Sequence, residues 1–167
     1  MLDGIKIKPI SRLPDERGFF CEAMRNDWTD LFGEDKIKQA NFSFTYPDII
    51  RAWHRHLKGQ IDYFLALKGT IKICGFDDKK QELNEIISSA LNLQIVRMPG
   101  HYWHGFKAVG NEPAMLLYFT TNLYDYNSPD EERRAWNDPK LIPKIINNKK
   151  DDPRVGKPWD WNYSANK

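Results

Sequence analysis

Four histidines in two short clusters are the residues of this chain with the most evident chemistry. His54 and His56 lie in the stretch RAWHRHLKGQ, at positions 51–60. Because they are two residues apart, a β-strand places both side chains on one face. His101 and His104 follow a Pro-Gly pair at an expected turn between strands. The interior of a small barrel can therefore collect both clusters in one site.

One interpretation of these histidines is a transition-metal site. Imidazole is the commonest ligand of such metals, and a carboxylate often completes the set. In metal-binding β-barrels of the cupin type, a His-x-His pair precedes an acid, and a further His comes five residues after a Pro. The corresponding ligands here are His54, His56, Asp62 and His104, with the acid later in the sequence than that pattern prefers.

A second interpretation is proton transfer. A neutral histidine, with an ordinary pKa of about 6.5, is the best general base at neutral pH. It needs a carboxylate that sets its tautomer and an opposing acid that returns a proton. Asp138 in WNDP is the candidate carboxylate, and Tyr118 in LLYFTT is the candidate acid. The remaining alternative is structural, with histidines that only satisfy backbone groups or cover a barrel mouth.

Size and charge argue against several classes of protein. The chain has 167 residues, of which 41% are hydrophobic, so one domain with a full core is expected. Its net charge of +2 gives no electrostatic footprint for nucleic acid or a membrane surface. Its two cysteines are too few for a disulfide framework. Since it also shows no apolar run of roughly 18 residues and no signal-peptide core, we expect a soluble cytoplasmic protein.

Short strands separated by Gly and Pro turns dominate the expected secondary structure. IKIKPI, GFFCEAM, LQIVRMP and PAMLLYFTTNLY predict strands, and QIDYFLALKGTIKICGFDD predicts a hairpin that turns at Gly69. NDWTDLFG predicts a short helix that ends at Gly33, and DEERRAW predicts a helical turn. Together they predict an all-β barrel or jelly roll. We expect Trp159 and Trp161 to anchor the polar C-terminal tail on the surface.

Six motifs, in this order and with suitable gaps, identify a family resemblance. They are DERGFFCE (15–22), QANFSF (39–44), IIRAWH (49–54), PGHYWHGF (99–106), LLYFTTNLY (116–124) and WNDP (136–139). Together they resemble the dTDP-4-dehydrorhamnose 3,5-epimerase family. The resemblance implies a cupin-type jelly roll at residues 1–142 and a C-terminal extension at 143–167. It also implies an isomerase that epimerises a nucleotide-linked 4-keto-6-deoxyhexose without a cofactor, in nucleotide-sugar and polysaccharide biosynthesis.

The resemblance implies three catalytic roles. The family's histidine base corresponds to His54, its orienting carboxylate to Asp138 and its tyrosine acid to Tyr118. The residue types suit the chemistry, because removal of a hydrogen next to a ketone needs a base on one face and an acid on the other. It also needs a positive or donor group at the ketone oxygen. No metal or organic cofactor is required for this step.

The resemblance also implies a nucleotide-sugar substrate and a homodimer. The residues that match substrate-binding positions are Arg17, Phe20, Glu22, Gln39, Asn41, Arg51 and His104. In family dimers, the segment that matches residues 15–22 reaches across to the partner's pocket. A guanidinium such as that of Arg51 suits a diphosphate, because it can hold phosphate oxygens in a bidentate fork.

Four differences from the family pattern, which involve five positions, stand out. The family's arginine-glycine-leucine-histidine reads Arg51-Ala52-Trp53-His54 here, so a bulky indole lies next to the base. His56 and Trp103 stand where the family commonly has glutamine and alanine. The family lysine that contacts the ketone oxygen is replaced by Asp62, and a carboxylate cannot stabilise an enolate. These changes leave open a different 4-keto sugar, isomerisation of a keto sugar, or binding of a nucleotide sugar without turnover.

Overall fold

The computed structural model describes residues 1–163, which are almost entirely β-structure. In chain order the elements are β1 (Lys6–Pro9), β2 (Leu13–Asp15), β3 (Gly18–Phe20), α1 (Thr29–Phe32), β4 (Gln39–Thr45), β5 (Ile50–Arg55), β6 (Ile61–Lys68), β7 (Thr70–Asp77), β8 (Glu82–Ser89), β9 (Gln94–Pro99), β10 (Trp103–Val109), β11 (Ala114–Thr120), β12 (Glu132–Arg133) and β13 (Ile145–Ile146). Within this part of the chain, no helix is long and apolar enough to cross a membrane.

Two sheets face each other and share one core, as in a jelly roll. The five-stranded sheet has the order β1-β9-β6-β11-β4, and the six-stranded sheet has the order β12-β5-β10-β7-β8-β13. Strands β2 and β3 form a separate short hairpin. Buried side chains from both sheets meet in the shared core, among them Phe64, Ile73, Val96, Phe106 and Leu116. The predicted all-β, cupin-type fold is confirmed.

Strand β7 is buried on both faces, which explains its apolar sequence. Ile71 and Ile73 point into the core between the sheets. Cys74 and Phe76 alternate with them and join a second apolar cluster on the outer face of the six-stranded sheet. A strand covered on both faces needs apolar residues at successive positions.

The C-terminal tail covers that outer face. Trp159 and Trp161 are 4% and 0% exposed, and the Trp161 ring packs against Trp53 with centroids 4.7 Å apart. Lys72 donates to the backbone carbonyl of Trp161 at 3.1 Å and also pairs with Glu85. The predicted anchoring of the tail by its two tryptophans is confirmed.

The predicted hairpin at residues 60–78 is wrong. Its two strands exist, but β6 lies in the five-stranded sheet and β7 in the six-stranded sheet. Gly69, with φ of +68°, turns the chain from one sheet to the other. A Cβ atom at this position would lie 2.7 Å from the Pro113 carbonyl oxygen. Alternation of apolar residues signals a strand, but it does not reveal which strand becomes the partner.

Three local predictions have mixed outcomes. The helix in NDWTDLFG is confirmed as α1, and it ends at Gly33, which has φ of +58°. Of GFFCEAM, only Gly18–Phe20 is a strand. The helical turn predicted for DEERRAW is wrong, because Glu132–Arg133 form β12 and pair with β5. This last difference matters for the site, since it places residues 128–134 beside the histidines.

Candidate active site

A cavity of about 920 Å³ opens between the two sheets. Its walls come from β4, β5, β6 and β11 and from the chain that follows β11. Several residues predicted from the sequence line it, namely Gln39, Asn41, Arg51, His54 and Tyr118. The fold therefore gathers residues that are up to 79 positions apart, from Gln39 to Tyr118, around one space.

Three imidazoles and one carboxylate converge beside this cavity. His54 on β5 pairs across the sheet with His104 on β10, and their ring centroids are 4.3 Å apart. Asp62 enters from β6, which belongs to the opposite sheet. One nitrogen or oxygen atom from each of His54, His56, Asp62 and His104 lies within 4.8 Å of the others. We call this group the His₃Asp cluster.

Backbone carbonyls orient two of these rings. Nδ1 of His104 lies 2.8 Å from the carbonyl oxygen of Tyr102, and Nδ1 of His56 lies 2.5 Å from that of Asp130. A carbonyl oxygen only accepts hydrogen bonds, so each Nδ1 carries a proton. The Nε2 atoms then face Asp62, at 3.1 Å from His104 and 3.5 Å from His56.

The arrangement of the His₃Asp cluster favours the presence of a positive charge. If His56 and His104 were neutral, their Nε2 atoms and the Asp62 oxygen would all present lone pairs to one another. The Gln60 amide, which donates to Asp62, offsets part of this repulsion, and an extra proton on a ring or a metal cation would remove the rest. Burial opposes ionisation of Asp62, but hydrogen bonds from His104 and His56 outweigh it and hold the Asp62 pKa well below its usual value. Asp62 in turn raises the pKa of His56, although burial opposes this.

His54 has the properties of a neutral base. Burial is the largest cause that lowers its pKa, and the neighbouring His104 adds to it, so that the pKa lies well below 6.5. The charge of Asp62 offsets only part of this effect. His54 is therefore neutral at physiological pH, with a ring that borders the cavity and can accept a proton.

Tyr118 brings a protonated hydroxyl to the same cavity. It lies on β11 opposite Phe64 of β6, and the two rings are 6.1 Å apart. Burial, and then the negative charge of Asp62, raise the pKa of Tyr118 above its ordinary value of 10.0. Its hydroxyl therefore keeps its proton at neutral pH and can return one to a substrate.

The polar residues of β4 and β5 form the remaining wall. The amide of Gln39 donates to the Asn41 side chain at 2.7 Å, which fixes both groups. Arg51 Nε donates to the Thr45 hydroxyl at 3.2 Å. Among residues 1–163, Arg51 has no ion pair with a carboxylate, so its guanidinium is available to an anionic ligand.

The predicted nucleotide-binding segment lies outside the cavity of its own chain. Arg17 pairs with Asp15 at 2.6 Å within the β2–β3 hairpin, and Phe20 is 63% exposed. Glu22 pairs with Arg25 at 2.5 Å. None of the three predicted residues of this segment lines the cavity described above. The hairpin instead projects exposed charged and aromatic side chains.

The structure does not bring Asp138 to His54. The Asp138 carboxylate accepts the backbone N–H of Lys140 at 2.9 Å and lies 3.9 Å from Arg134. Asp138 therefore stabilises its own turn, and the prediction that it orients His54 is wrong. Within residues 1–163, the carboxylate that acts electrostatically on His54 is Asp62.

Two residues of the site were missed at the sequence level. The Gln60 amide donates to Asp62 at 2.8 Å and lies 3.1 Å from Nε2 of His56. Asp130 provides the carbonyl that holds His56. No role was assigned to Gln60 from the sequence, and the helical turn predicted for DEERRAW hid Asp130. Neither contact has a signal in sequence spacing.

The His₃Asp cluster fits a transition-metal ion. Three imidazoles and a carboxylate are ligands that such ions prefer. The protonated Nδ1 atoms of His56 and His104 donate to backbone carbonyls, which is the usual outer contact of metal-binding histidines. A bound cation would also remove the repulsion between lone pairs at Asp62. The geometry of the cluster therefore supports the metal-site interpretation made from the sequence.

Comparison with known proteins identifies relatives along most of the chain. The family model described as "Polysaccharide biosynthesis C-terminal domain" matches residues 13–132. The probable low-salt glycan biosynthesis epimerase Agl13 of Haloferax volcanii is 42% identical over 137 residues, which cover 79% of this chain and 86% of that protein. The spore coat polysaccharide biosynthesis protein SpsL of Bacillus subtilis is 33% identical over 143 residues, which cover 83% and 92%.

A solved structure agrees with the fold. The dTDP-6-deoxy-D-glucose-3,5-epimerase RmlC of Legionella pneumophila, in complex with dTDP-4-keto-L-rhamnose, superposes with a TM-score of 0.74 and 26% identity. The match covers 84% of this chain and 78% of that one. The chain therefore belongs to the polysaccharide biosynthesis C-terminal domain family and is a divergent member of the dTDP-4-dehydrorhamnose 3,5-epimerase family.

Proposed function

We propose that this protein is an epimerase of a nucleotide-linked 4-keto-6-deoxyhexose in polysaccharide or glycan biosynthesis. The observation that carries the proposal is that His54 and Tyr118 line one cavity, in which desolvation lowers the pKa of His54 and raises that of Tyr118. The names of the relatives Agl13 and RmlC, both epimerases, support the reaction class. Epimerisation of this kind needs a base and an acid on opposite faces of the sugar.

In the proposed reaction, His54 removes the hydrogen from the carbon next to the ketone. The electron pair moves to the ketone oxygen and forms an enolate, and His54 becomes an imidazolium. Tyr118 then donates its proton to the opposite face of the same carbon, which inverts the configuration. Solvent then removes the proton from the His54 imidazolium and returns one to the Tyr118 phenolate, so that the reaction consumes no oxidant or reductant.

The ketone oxygen needs a positive partner, and Asp62 occupies the position of the family lysine. We assign that role to the positive charge that Asp62 recruits into the His₃Asp cluster, chiefly on His56, whose pKa is raised. A proton that already sits on a ring next to a fixed carboxylate is a preorganised donor for developing charge. Arg51 is left to bind the diphosphate of the nucleotide.

Substitution of each proposed catalytic residue should impair a different step of the reaction. We expect His54→Ala to lower the rate of solvent deuterium incorporation into a dTDP-linked 4-keto-6-deoxyhexose by about 10²–10⁴-fold, the usual contribution of a positioned acid or base. Tyr118→Phe should lower the rate of inversion by a similar factor, while exchange through His54 continues on the face from which the hydrogen was removed. The measurement is mass spectrometry or NMR of the recovered sugar. His101→Ala is the matched control, because His101 is exposed and does not line the cavity.

A wild-type protein that exchanges no hydrogen in any of several nucleotide-linked 4-keto sugars would end the proposal of catalysis. If the sugar nucleotide nevertheless raised the melting temperature, binding without turnover would take its place. Exchange that survives His54→Ala would instead remove His54 from the role of base.

We further propose that the protein acts as a homodimer in which each hairpin completes the partner's cavity. Arg17 and Phe20 lie on an exposed projection rather than in their own cavity. The edge strand β4 displays Phe42 and Phe44, which are 56% and 44% exposed, next to Tyr46. Exposed aromatic side chains along an open sheet edge favour burial against a second chain.

Mixing two inactive variants should restore activity if the hairpin serves the partner. Arg17→Ala and His54→Ala would each be inactive alone. A dimer with one subunit of each kind has one intact site, so a refolded equal mixture should recover about a quarter of the wild-type rate. The measurement is deuterium exchange before and after mixing, with light scattering to report the mass. A monomeric protein, or a mixture that stays inactive, would contradict this arrangement.

A metal-dependent cupin enzyme is the second candidate function. The specific observation in its favour is the convergence of His54, His56, Asp62 and His104 within 4.8 Å. When bound, a divalent cation would supply positive charge at the ketone oxygen and polarise it. The residues of this chain would hold the cation, and His54 would then act as ligand rather than as free base.

Metal analysis separates the two candidates. If the cluster is a metal site, protein purified without chelator should carry close to one equivalent of a transition metal, and His104→Ala should lose it while His101→Ala keeps it. The measurement is elemental analysis by mass spectrometry, paired with activity after dialysis against a chelator. Less than a tenth of an equivalent, with unchanged activity in chelator, would exclude a metal enzyme.

A further inference from the structure

The segment of residues 128–134, which we call the wall segment, is bound along its length to β5 and to the three residues that follow it. Its strand β12 pairs with β5, with Arg133 opposite His54. Arg134 and Trp53 exchange two backbone hydrogen bonds, at 3.0 and 3.2 Å. The wall segment borders the cavity, so these contacts hold a side of the site in place.

Asp130 fastens one end of the wall segment through its side chain. Its two carboxylate oxygens accept the backbone N–H groups of Leu57 and Lys58, each at 2.9 Å. Lys58 also donates to the carbonyl and hydroxyl of Ser128 at 3.2 Å. Charge-assisted hydrogen bonds to two successive amides define the position of a residue closely.

Contacts with Trp103 and Asp78 hold the other end of the wall segment. The guanidinium groups of Arg134 and Arg55 both lie over the ring of Trp103, at 4.1 and 4.5 Å from its centroid. Asp78 accepts both the Trp103 indole N–H at 2.6 Å and two hydrogen bonds from Arg134 at 2.8 and 3.0 Å. This packing gives a function to Trp103, which replaces a smaller residue of the family motif.

With both ends fixed, the backbone carbonyl of Asp130 has a defined place at Nδ1 of His56, 2.5 Å away. We propose that Asp130 is a positioning residue that holds the His56 ring with its Nε2 atom directed at the His₃Asp cluster. The side chain of Asp130 acts on the loop amides, and its carbonyl acts on the ring. His56 is one of the departures from the family pattern, and the contact with Asp130 keeps its ring directed at the cluster.

The contact holds the orientation of the His56 ring in both of its charge states. The charged ring of the proposed reaction carries a proton on both nitrogens, whereas in the neutral ring at alkaline pH the contact also decides which nitrogen carries the proton. A free neutral imidazole favours the form with the proton on Nε2, whereas a carbonyl at Nδ1 selects the opposite form. Loss of the contact would let the proton move to Nε2 and let the ring turn away from the cluster. The inference concerns the same site as the proposed function, and rests on it only for the effect on turnover.

The test is a histidine NMR measurement that is independent of catalysis. Long-range ¹H–¹⁵N spectra of protein labelled at histidine, in chelator and at alkaline pH, report which ring nitrogen carries the proton. The chelator is needed because a cation on Nε2 would by itself keep the proton on Nδ1. In wild-type protein we expect His56, assigned with His56→Ala, to carry its proton on Nδ1. In Asp130→Ala we expect the Nε2 form or a mixture, with His104 unchanged.

Kinetics complete the experiment. Misplacement of a group at the reacting centre can cost about 10²-fold, so we expect kcat to fall by up to that factor in Asp130→Ala with little change in KM. Asp130→Asn keeps one acceptor oxygen and should recover part of both effects. Glu132→Ala is the matched control, because it removes a carboxylate and its 2.6 Å contact with Arg55 from the same segment without touching His56.

The outcomes separate this inference from the proposed function. A wild-type His56 spectrum in Asp130→Ala, with wild-type kcat, would overturn the positioning role. An equal change of the His56 spectrum in Glu132→Ala would also overturn it, because the effect would then belong to the whole segment. A changed spectrum in Asp130→Ala alone would support the role, even if wild-type protein showed no deuterium exchange and the proposed function failed.

Discussion

A buried carboxylate that faces two imidazole lone pairs is the interaction on which the site depends. Asp62 is 3% exposed, and its oxygen lies within 3.5 Å of Nε2 of both His56 and His104. An isolated charge in such a place would be expensive, so a compensating positive species is favoured in the cluster. This requirement links the two candidate functions, because a proton and a metal ion satisfy the same constraint at the same atoms.

The fold creates this constraint by joining two sheets. His54 and His104 come from neighbouring strands of the six-stranded sheet, whereas Asp62 and Tyr118 come from the five-stranded sheet. The wall segment closes the side next to His56, and the tail packs behind Trp53 on the opposite face of β5. The wall segment and the tail together support β5, which suits His54 because a catalytic base must be held within a fraction of an ångström.

Much of this could be predicted from the sequence, and the failures have a common physical cause. Ordered motifs and short alternating strands predicted the all-β fold, and His-x-His spacing predicted that His54 and His56 share a face. The pairing of β6 with β7 and the contact of Asp138 with His54 were wrong, because both depend on partners that only the closed sandwich defines. The carbonyl of Asp130 has no sequence signal at all, since every residue carries one.

The most direct test of the account is a crystal structure with a bound dTDP-linked 4-keto-6-deoxyhexose or a close analogue. The account predicts that the sugar ring lies between His54 and Tyr118, with the ketone oxygen next to His56 and the diphosphate at Arg51. A sugar bound only at the cavity mouth, with His54 ligating a cation together with His56, Asp62 and His104, would contradict it.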